Sequence, residues 1–151
     1  MTTVYDVPAD PLLKRVADKI KTMKEFTPPE WAPYVKTGVH KERQPEQKDW
    51  WHVRVAAVLR KVYMNGPIGT ERLSAMFGGP RDRGSAPNSA RKGSRSIVRE
   101  SLQQLEKAEF VGKAEANRGR VVLSKGKSIL DNAAHDVKME LGKKNPELMK
   151  Y

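Results

Sequence analysis

The chain is 151 residues long, with 38% hydrophobic residues and 29 Lys and Arg against 18 Asp and Glu, a formal charge of +11. That length and apolar content suit one globular domain, and the excess positive charge favours a polyanionic partner, of which nucleic acid is the commonest. The absence of cysteine excludes disulfides, cysteine-based zinc sites and thiol catalysis.

His40, His52 and His135 show no metal-ligand spacing, and no phosphate-loop, dinucleotide-fold or nucleophile-elbow motif occurs. Neither an enzyme nor a cofactor is therefore expected. No apolar run approaches the roughly 20 residues of a membrane span, and the first residues lack the basic segment and apolar core of a signal peptide. The expectation is a cytoplasmic protein without a membrane partner.

Asp10 is predicted to cap a first helix reaching about Met23, with Pro11 at its first position. Leu12, Leu13, Val16, Ala17, Ile20 and Met23 form one apolar stripe along it. Phe26–Gly38, with Pro28, Pro29 and Pro33, reads as irregular chain with one short turn, Trp31 and Tyr34 covering the core. His40–Lys48 is polar and loop-like. Asp49 is predicted to cap a long central helix that Gly66-Pro67 ends. Trp51, Val55, Val58, Leu59 and Val62 fall on one core-wide face, flanked by a stripe of Trp50, Arg54, Ala57 and Lys61, with Arg60 roughly opposite the core.

A short helix over Thr70–Phe77 stops at Gly78-Gly79-Pro80. Residues 79–93 lack apolar periodicity and read as a long loop. A helix over Ser94–Ala108 turns Val98, Leu102 and Leu105 inward. Glu109–Ala114 and Arg120–Leu123 read as two short strands around Asn117-Arg118-Gly119, a hairpin signal. Ser124 is expected to cap a last helix that buries Ile129, Leu130, Ala133, Ala134, Val137 and Leu141 and ends at Gly142. The fold class is thus mainly α with one short β-hairpin, a winged-helix-like bundle around a long central helix. Residues 1–142 form one domain and residues 143–151 a flexible tail.

The positive charge is segregated. Gly79–Arg99 carries Arg81, Arg83, Arg91, Lys92, Arg95 and Arg99 against Asp82 alone; Lys113–Lys127 carries Lys113, Arg118, Arg120, Lys125 and Lys127 against Glu115; Lys36–Lys61, which includes Lys41, Arg43, Arg54, Arg60 and Lys61, has seven basic residues against three acids. Together these segments hold +13, more than the whole chain. Arginine, dominant in the long loop, grips phosphate bidentately or stacks on bases. Gly79, Gly84 and Gly93 let backbone N–H groups approach a phosphate chain, and Gly93-Ser94 opens a helix whose dipole favours an anion. Trp50 is readable in two ways: stacking on a base or holding Arg54 by cation–π contact, or packing beneath the proline-rich segment.

A winged-helix DNA-binding transcription regulator is the alternative, placing the Ser94 helix in the major groove. About 16 residues separate the Thr70 and Ser94 helices, where helix-turn-helix units use about three or four. An arginine-rich insertion there obstructs groove entry and suits irregular RNA. No dimerisation heptad is visible, so a monomer is expected when the chain is free.

Pro29-Glu30-Trp31, His40-Lys41-Glu42, Asp49-Trp50-Trp51, Arg54-Val55-Ala56, Arg60-Lys61-Val62-Tyr63, Gly78-Gly79, Gly93-Ser94-Arg95-Ser96-Ile97-Val98-Arg99 and Leu102-Gln103-Gln104-Leu105-Glu106 occur in one order. In these stretches the chain resembles the small-subunit ribosomal protein nineteen family, eukaryotic/archaeal type. Thr3-Val4-Tyr5-Asp6-Val7-Pro8 looks like its archaeal branch. The resemblance implies a non-enzymatic protein in the head of the small subunit, bound to rRNA beside neighbouring ribosomal proteins, with a part in head assembly and, in the eukaryotic relatives, pre-rRNA maturation. It implies RNA-facing roles for Trp50, Arg54, Arg60, Gly93, Ser94, Ser96 and Arg99. The chain departs from the family in lacking an aromatic near Ser89–Ala90, and in placing Glu100 where a basic residue is frequent.

Overall fold

In a computed structural model the structure describes residues 2–115 and 118–147. Helix α1 (Ala9–Lys21) places Leu12, Val16, Ala17 and Ile20 on its buried face. It starts two residues earlier than a cap at Asp10 predicts, with extended Pro8 as the cap residue, so Pro11 lies within the first turn. Short 3-10 turns follow at Lys24–Phe26 and Ala32–Tyr34, the irregular proline-rich crossing the sequence predicts. Trp31 meets Trp51 edge-on at 5.7 Å between centroids and does cover the core. Tyr34 does not: it is 78% exposed, because a chain with alternating prolines turns it outward.

Helix α2 (Trp50–Asn65) is the centre of the molecule, with Trp51, Val55, Ala56, Val58, Leu59 and Val62 buried. It packs against α1, α4 (Arg95–Lys107) and α5 (Ser124–Lys144), while α3 (Thr70–Met76) rests on α4. Asp49 precedes α2 without capping it, because its carboxylate is drawn to Lys21 Nζ at 2.5 Å at the end of α1. A buried polar chain ties three segments together. Trp51 Nε1 donates to Gln104 Oε1 at 3.0 Å, and Gln104 Nε2 donates to the Thr27 carbonyl at 2.9 Å. Phe26 and Phe110 stack beside it at 5.7 Å.

The reading of 79–93 as a loop is overturned. Strands β1 (Gly79–Arg83) and β2 (Ala86–Arg91) form an antiparallel ribbon with Gly79 opposite Arg91 and Arg81 opposite Ser89. A register irregularity follows Arg81, and Gly84 takes a left-handed φ of 69° at the turn, its N–H donating to Asp82 Oδ1 at 2.9 Å. Almost every ribbon residue is exposed. Alternation of apolar and polar residues marks a strand with one buried face; a ribbon wet on both faces needs none.

The second hairpin pairs β3 (Val111–Lys113) with β4 (Arg120–Val122), as the sequence predicts, although Asn117 at its tip lies outside the described residues. Ile68 and Arg120 exchange both backbone hydrogen bonds, at 3.0 and 3.1 Å, adding a third short edge to this wing. That contact needs Gly119, whose φ is 120° and where a Cβ would lie 2.8 Å from the Ile68 backbone. The sequence α2, Ile68, α3, ribbon, α4, β3, β4 is winged-helix-like with a ribbon in place of the tight turn. Gly142 does not end the last helix. It is buried inside α5, which runs to Lys144, since an interior glycine costs a helix only about 1 kcal/mol. Ser124 opens that helix, with Leu123 as the cap residue.

Candidate nucleic-acid interface

Two of the three basic segments meet in space. The Ser94 N–H donates to the Thr37 carbonyl at 3.0 Å, and Gly38 bridges Gly93, which anchors the 36–48 segment to the root of the ribbon. His40 fills the joint: a Cβ on Gly38 would lie 2.6 Å from its ring, and one on Gly79 3.2 Å. Burial lowers its pKa, and Lys41 and Arg54 add to the effect, so the imidazole is neutral near pH 7. Between the 36–48 segment and the ribbon lies a cleft of about 620 Å³ lined by His40, Lys41, Arg43, Pro80, Asp82 and Asn88 among others.

Lys41 and Arg43 line this cleft, to which the ribbon contributes Pro80, Asp82 and Asn88; Arg81, Arg83, Arg91 and Lys92 are exposed elsewhere on and beside the ribbon, and Arg95, Ser96 and Arg99 are exposed on the first turns of α4. Some already have partners. Arg83 donates through Nε and Nη2 to the Pro87 carbonyl at 2.9 and 2.7 Å, which stiffens the ribbon tip and leaves its charge outside. Lys92 pairs with Glu71 at 2.5 Å, and that hydrogen bond, with the charges of Lys92 and Arg95, lowers the Glu71 pKa.

The backbone at Gly93-Ser94 is committed inward. Gly93 is buried, its N–H donates to the Ser74 carbonyl at 2.8 Å, and a Cβ there would lie 2.8 Å from the Phe77 carbonyl oxygen. Gly93 is thus needed for close packing, and its N–H does not face a phosphate chain. The Ser94 hydroxyl accepts from Ile97 N at 3.5 Å. The amides that the first turn of α4 still presents outward are those of Arg95 and Ser96.

Trp50, Arg54 and Lys61 form one half-buried stripe of α2. The Arg54 guanidinium lies 4.5 Å over the Phe77 ring, so its aromatic partner is Phe77 and not the neighbouring indole. Trp50 instead stands edge-on to Trp51 at 5.6 Å. It also faces the proline-rich segment across a second pocket lined by Pro28, Pro33 and Pro45. Burial alone lowers the Arg54 pKa, and no described residue gives it a hydrogen bond or an ion pair. Arg60, six residues on, lies about 120° around the helix. It does not join the stripe, and its Nε is enclosed without a partner among the described residues.

The third basic segment sits elsewhere. Arg120 Nε pairs with Glu106 Oε1 at 2.6 Å, both side chains only about a quarter exposed, and Lys125 pairs with Glu109. Glu106 is eleven residues beyond Arg95 on α4, about 16 Å along the axis. The wing therefore lies at the far end of α4 from the ribbon, with much of its charge neutralised; Arg118 remains exposed there. Phe77, Thr37 and Gln47 join the site without having been singled out by the sequence. The one signal available was the position of Phe77 directly before Gly78-Gly79, where the chain must leave α3.

Fold and surface together define a small basic winged-helix-like protein whose helix-turn-helix turn has become an arginine-bearing ribbon. The family model described as ribosomal protein S19e matches residues 3–140. The small ribosomal subunit protein eS19 of Aeropyrum pernix is 46% identical over 153 residues, covering 100% of this chain and 99% of the relative, and that of Thermoplasma acidophilum is 44% identical over 151 residues with the same coverage. The eS19B protein of Schizosaccharomyces pombe is 37% identical over 135 residues, 89% of this chain and 94% of its own. The chain belongs to the ribosomal protein S19e family.

Proposed function

We propose that this protein is a structural constituent of the small ribosomal subunit that binds rRNA in the subunit head. In this reading it sits beside neighbouring ribosomal proteins on the cytoplasmic ribosome, assists subunit assembly and pre-rRNA maturation, and is a monomer when free. Family membership supports the ribosomal role. One structural observation carries the RNA reading: the ribbon, the 36–48 segment and the start of α4 are joined at Gly38–Gly93 and Thr37–Ser94, and each exposes basic residues, so the basic surface is approached from three segments. Such a face fits phosphates arriving from several sides of a folded RNA. It does not fit one groove of duplex DNA, because the ribbon projects where the start of a recognition helix would have to enter.

The binding residues in this reading are Lys41, Arg43, Trp50, Arg54, Lys61, Arg81, Arg83, Arg91, Lys92, Arg95, Ser96 and Arg99, with Arg118 as a separate contact. Gly93 and Ser94 act by holding the 36–48 segment against α4. Arg60 and Arg120 are half-buried, and their reach to RNA needs the partner to approach their own faces.

Sedimentation through a sucrose gradient is the decisive experiment. Wild-type protein co-migrates with small subunits, and the Arg54→Ala/Arg99→Ala variant leaves that fraction while its circular-dichroism spectrum stays unchanged. Unaltered association of the double variant removes these residues from the interface. Absence of wild-type protein from the subunit fraction overturns the ribosomal role.

A further inference from the structure

A slot of about 260 Å³ opens beside the basic cleft, between α2 and the 36–48 segment, and Thr37 and Pro45 border both. Its walls are flat and apolar: the Trp50 indole, the Phe77 ring and Pro45. Three polar residues border it, Thr37, Gln47 and Arg54, and the side chain of none has a hydrogen-bond partner among the described residues. Arg54 is the most telling of these. The residue is half-buried, its guanidinium carbon lies 4.5 Å over the Phe77 ring, and no carboxylate among the described residues pairs with it. The Phe77 ring offsets part of the cation's charge but accepts none of its N–H groups in a hydrogen bond of ordinary kind, so the donors of the fork stay available to a ligand. Trp50 is fixed at right angles to Trp51 and so is a preset stacking surface.

We propose that this slot takes a single unstacked purine of the bound RNA, stacked on Trp50 and hydrogen-bonded at its edge by Arg54, Gln47 and Thr37. The inference rests on the RNA-binding reading above and deepens it. A guanidinium fork matches the O6 and N7 edge of guanine, and a glutamine amide matches the N6 and N7 edge of adenine. A volume of about 260 Å³ suits a single planar heterocycle. A strand whose phosphates run along the Lys41–Arg43 cleft passes the mouth of the slot, so the charge of the cleft and the flatness of the slot serve one ligand. An apolar protein side chain would fill the same space but would leave all three polar groups unmatched.

The test separates the base from the phosphates. A ribose-phosphate hexamer without bases, and the same hexamer carrying one guanine or one adenine at its third position, are titrated against the full chain. The purine is expected to raise affinity about 5- to 150-fold, the range of one base stacked on an aromatic side chain. In Trp50→Leu that increment disappears, and the purine-bearing hexamers bind no more tightly than the base-free one. Equal binding of all three hexamers by the wild-type chain, with a normal fall in affinity as salt rises, overturns the slot and leaves phosphate binding standing. No binding of any hexamer overturns both. The comparison is made first on the wild-type chain, so an unstable variant does not shield the proposal.

Discussion

Replacing Gln104 by Leu removes a buried polar side chain that links α2, α4 and the proline-rich segment. Trp51 is 1% exposed and Gln104 6%, so neither group has water to fall back on. The substitution orphans the Trp51 N–H, which donates at 3.0 Å in the native protein, and an unsatisfied buried donor costs about 1–3 kcal/mol. Losing the bond to the Thr27 carbonyl costs about 0.5–1.5 kcal/mol, since that bond is only part-buried and Thr27 is exposed. Leucine returns a little through apolar burial, which leaves a net loss of about 2–3 kcal/mol.

For a chain of this size that lowers Tm by roughly 5–10 °C, measured by circular dichroism alongside a urea titration. Gln103→Leu, one residue away on the exposed side of α4, serves as control and leaves Tm within about 2 °C, the shift expected of a surface change below 0.5 kcal/mol. A double-mutant comparison sharpens the test. In the Trp51→Phe background the same Gln104→Leu change costs less, because no indole N–H remains to be orphaned. Equal costs in the two backgrounds, or a Gln104→Leu protein as stable as wild type, refutes the account.

Gly119→Ala puts a Cβ into a left-handed backbone and within 2.8 Å of Ile68; it is expected to destabilise by about 1–3 kcal/mol and loosen the wing, seen as faster amide exchange at Ile68 and Arg120. Burial lowers the pKa values of both His40 and His52 from an ordinary value near 6.5. The unfolded chain therefore takes up these protons first, and stability is full above that value and falls as pH drops below it. The urea midpoint should decline between pH 7.5 and 5.5, and His40→Gln/His52→Gln should flatten the slope; a midpoint that rises on acidification contradicts the assignment. On the ribbon, Arg81→Ala should reduce the slope of log affinity against log salt for RNA by about one for each phosphate that Arg81 grips in the wild type, without changing Tm. An unchanged slope removes Arg81 from the interface.

Where a helix or strand has one dry face, the sequence shows it. The stripes of α1, α2, α4 and α5 appear at their helical spacing, and β3–β4 is marked by its turn residues. Misreadings fall where a second segment competes. Asp49 reads as a cap until Lys21 reaches it from α1. Gly142 reads as a terminator until the packing of α5 carries the helix through it. The ribbon has no dry face at all, so its strands leave no periodic trace. Its pairing is backbone hydrogen bonding across a Gly84 turn, and its exposed arginines pass for loop chemistry.

The candidate site divides along the same line. Composition and segment charge alone indicate a basic protein, favour an anionic partner and single out the arginines proposed to face it. Which charges remain free is a tertiary matter. Glu106 and Glu109, outside the Lys113–Lys127 segment, neutralise Arg120 and Lys125, because a sequence segment records its own charges and not those folded against it. The slot beside Trp50 is tertiary throughout. Phe77 follows α3 as its cap residue, Arg54 lies in the second turn of α2, and Thr37 and Gln47 bracket the basic segment. Only the packing of α3 and the 36–48 chain against α2 brings an aromatic ring under a guanidinium and leaves that guanidinium without a hydrogen-bond acceptor or carboxylate among the described residues.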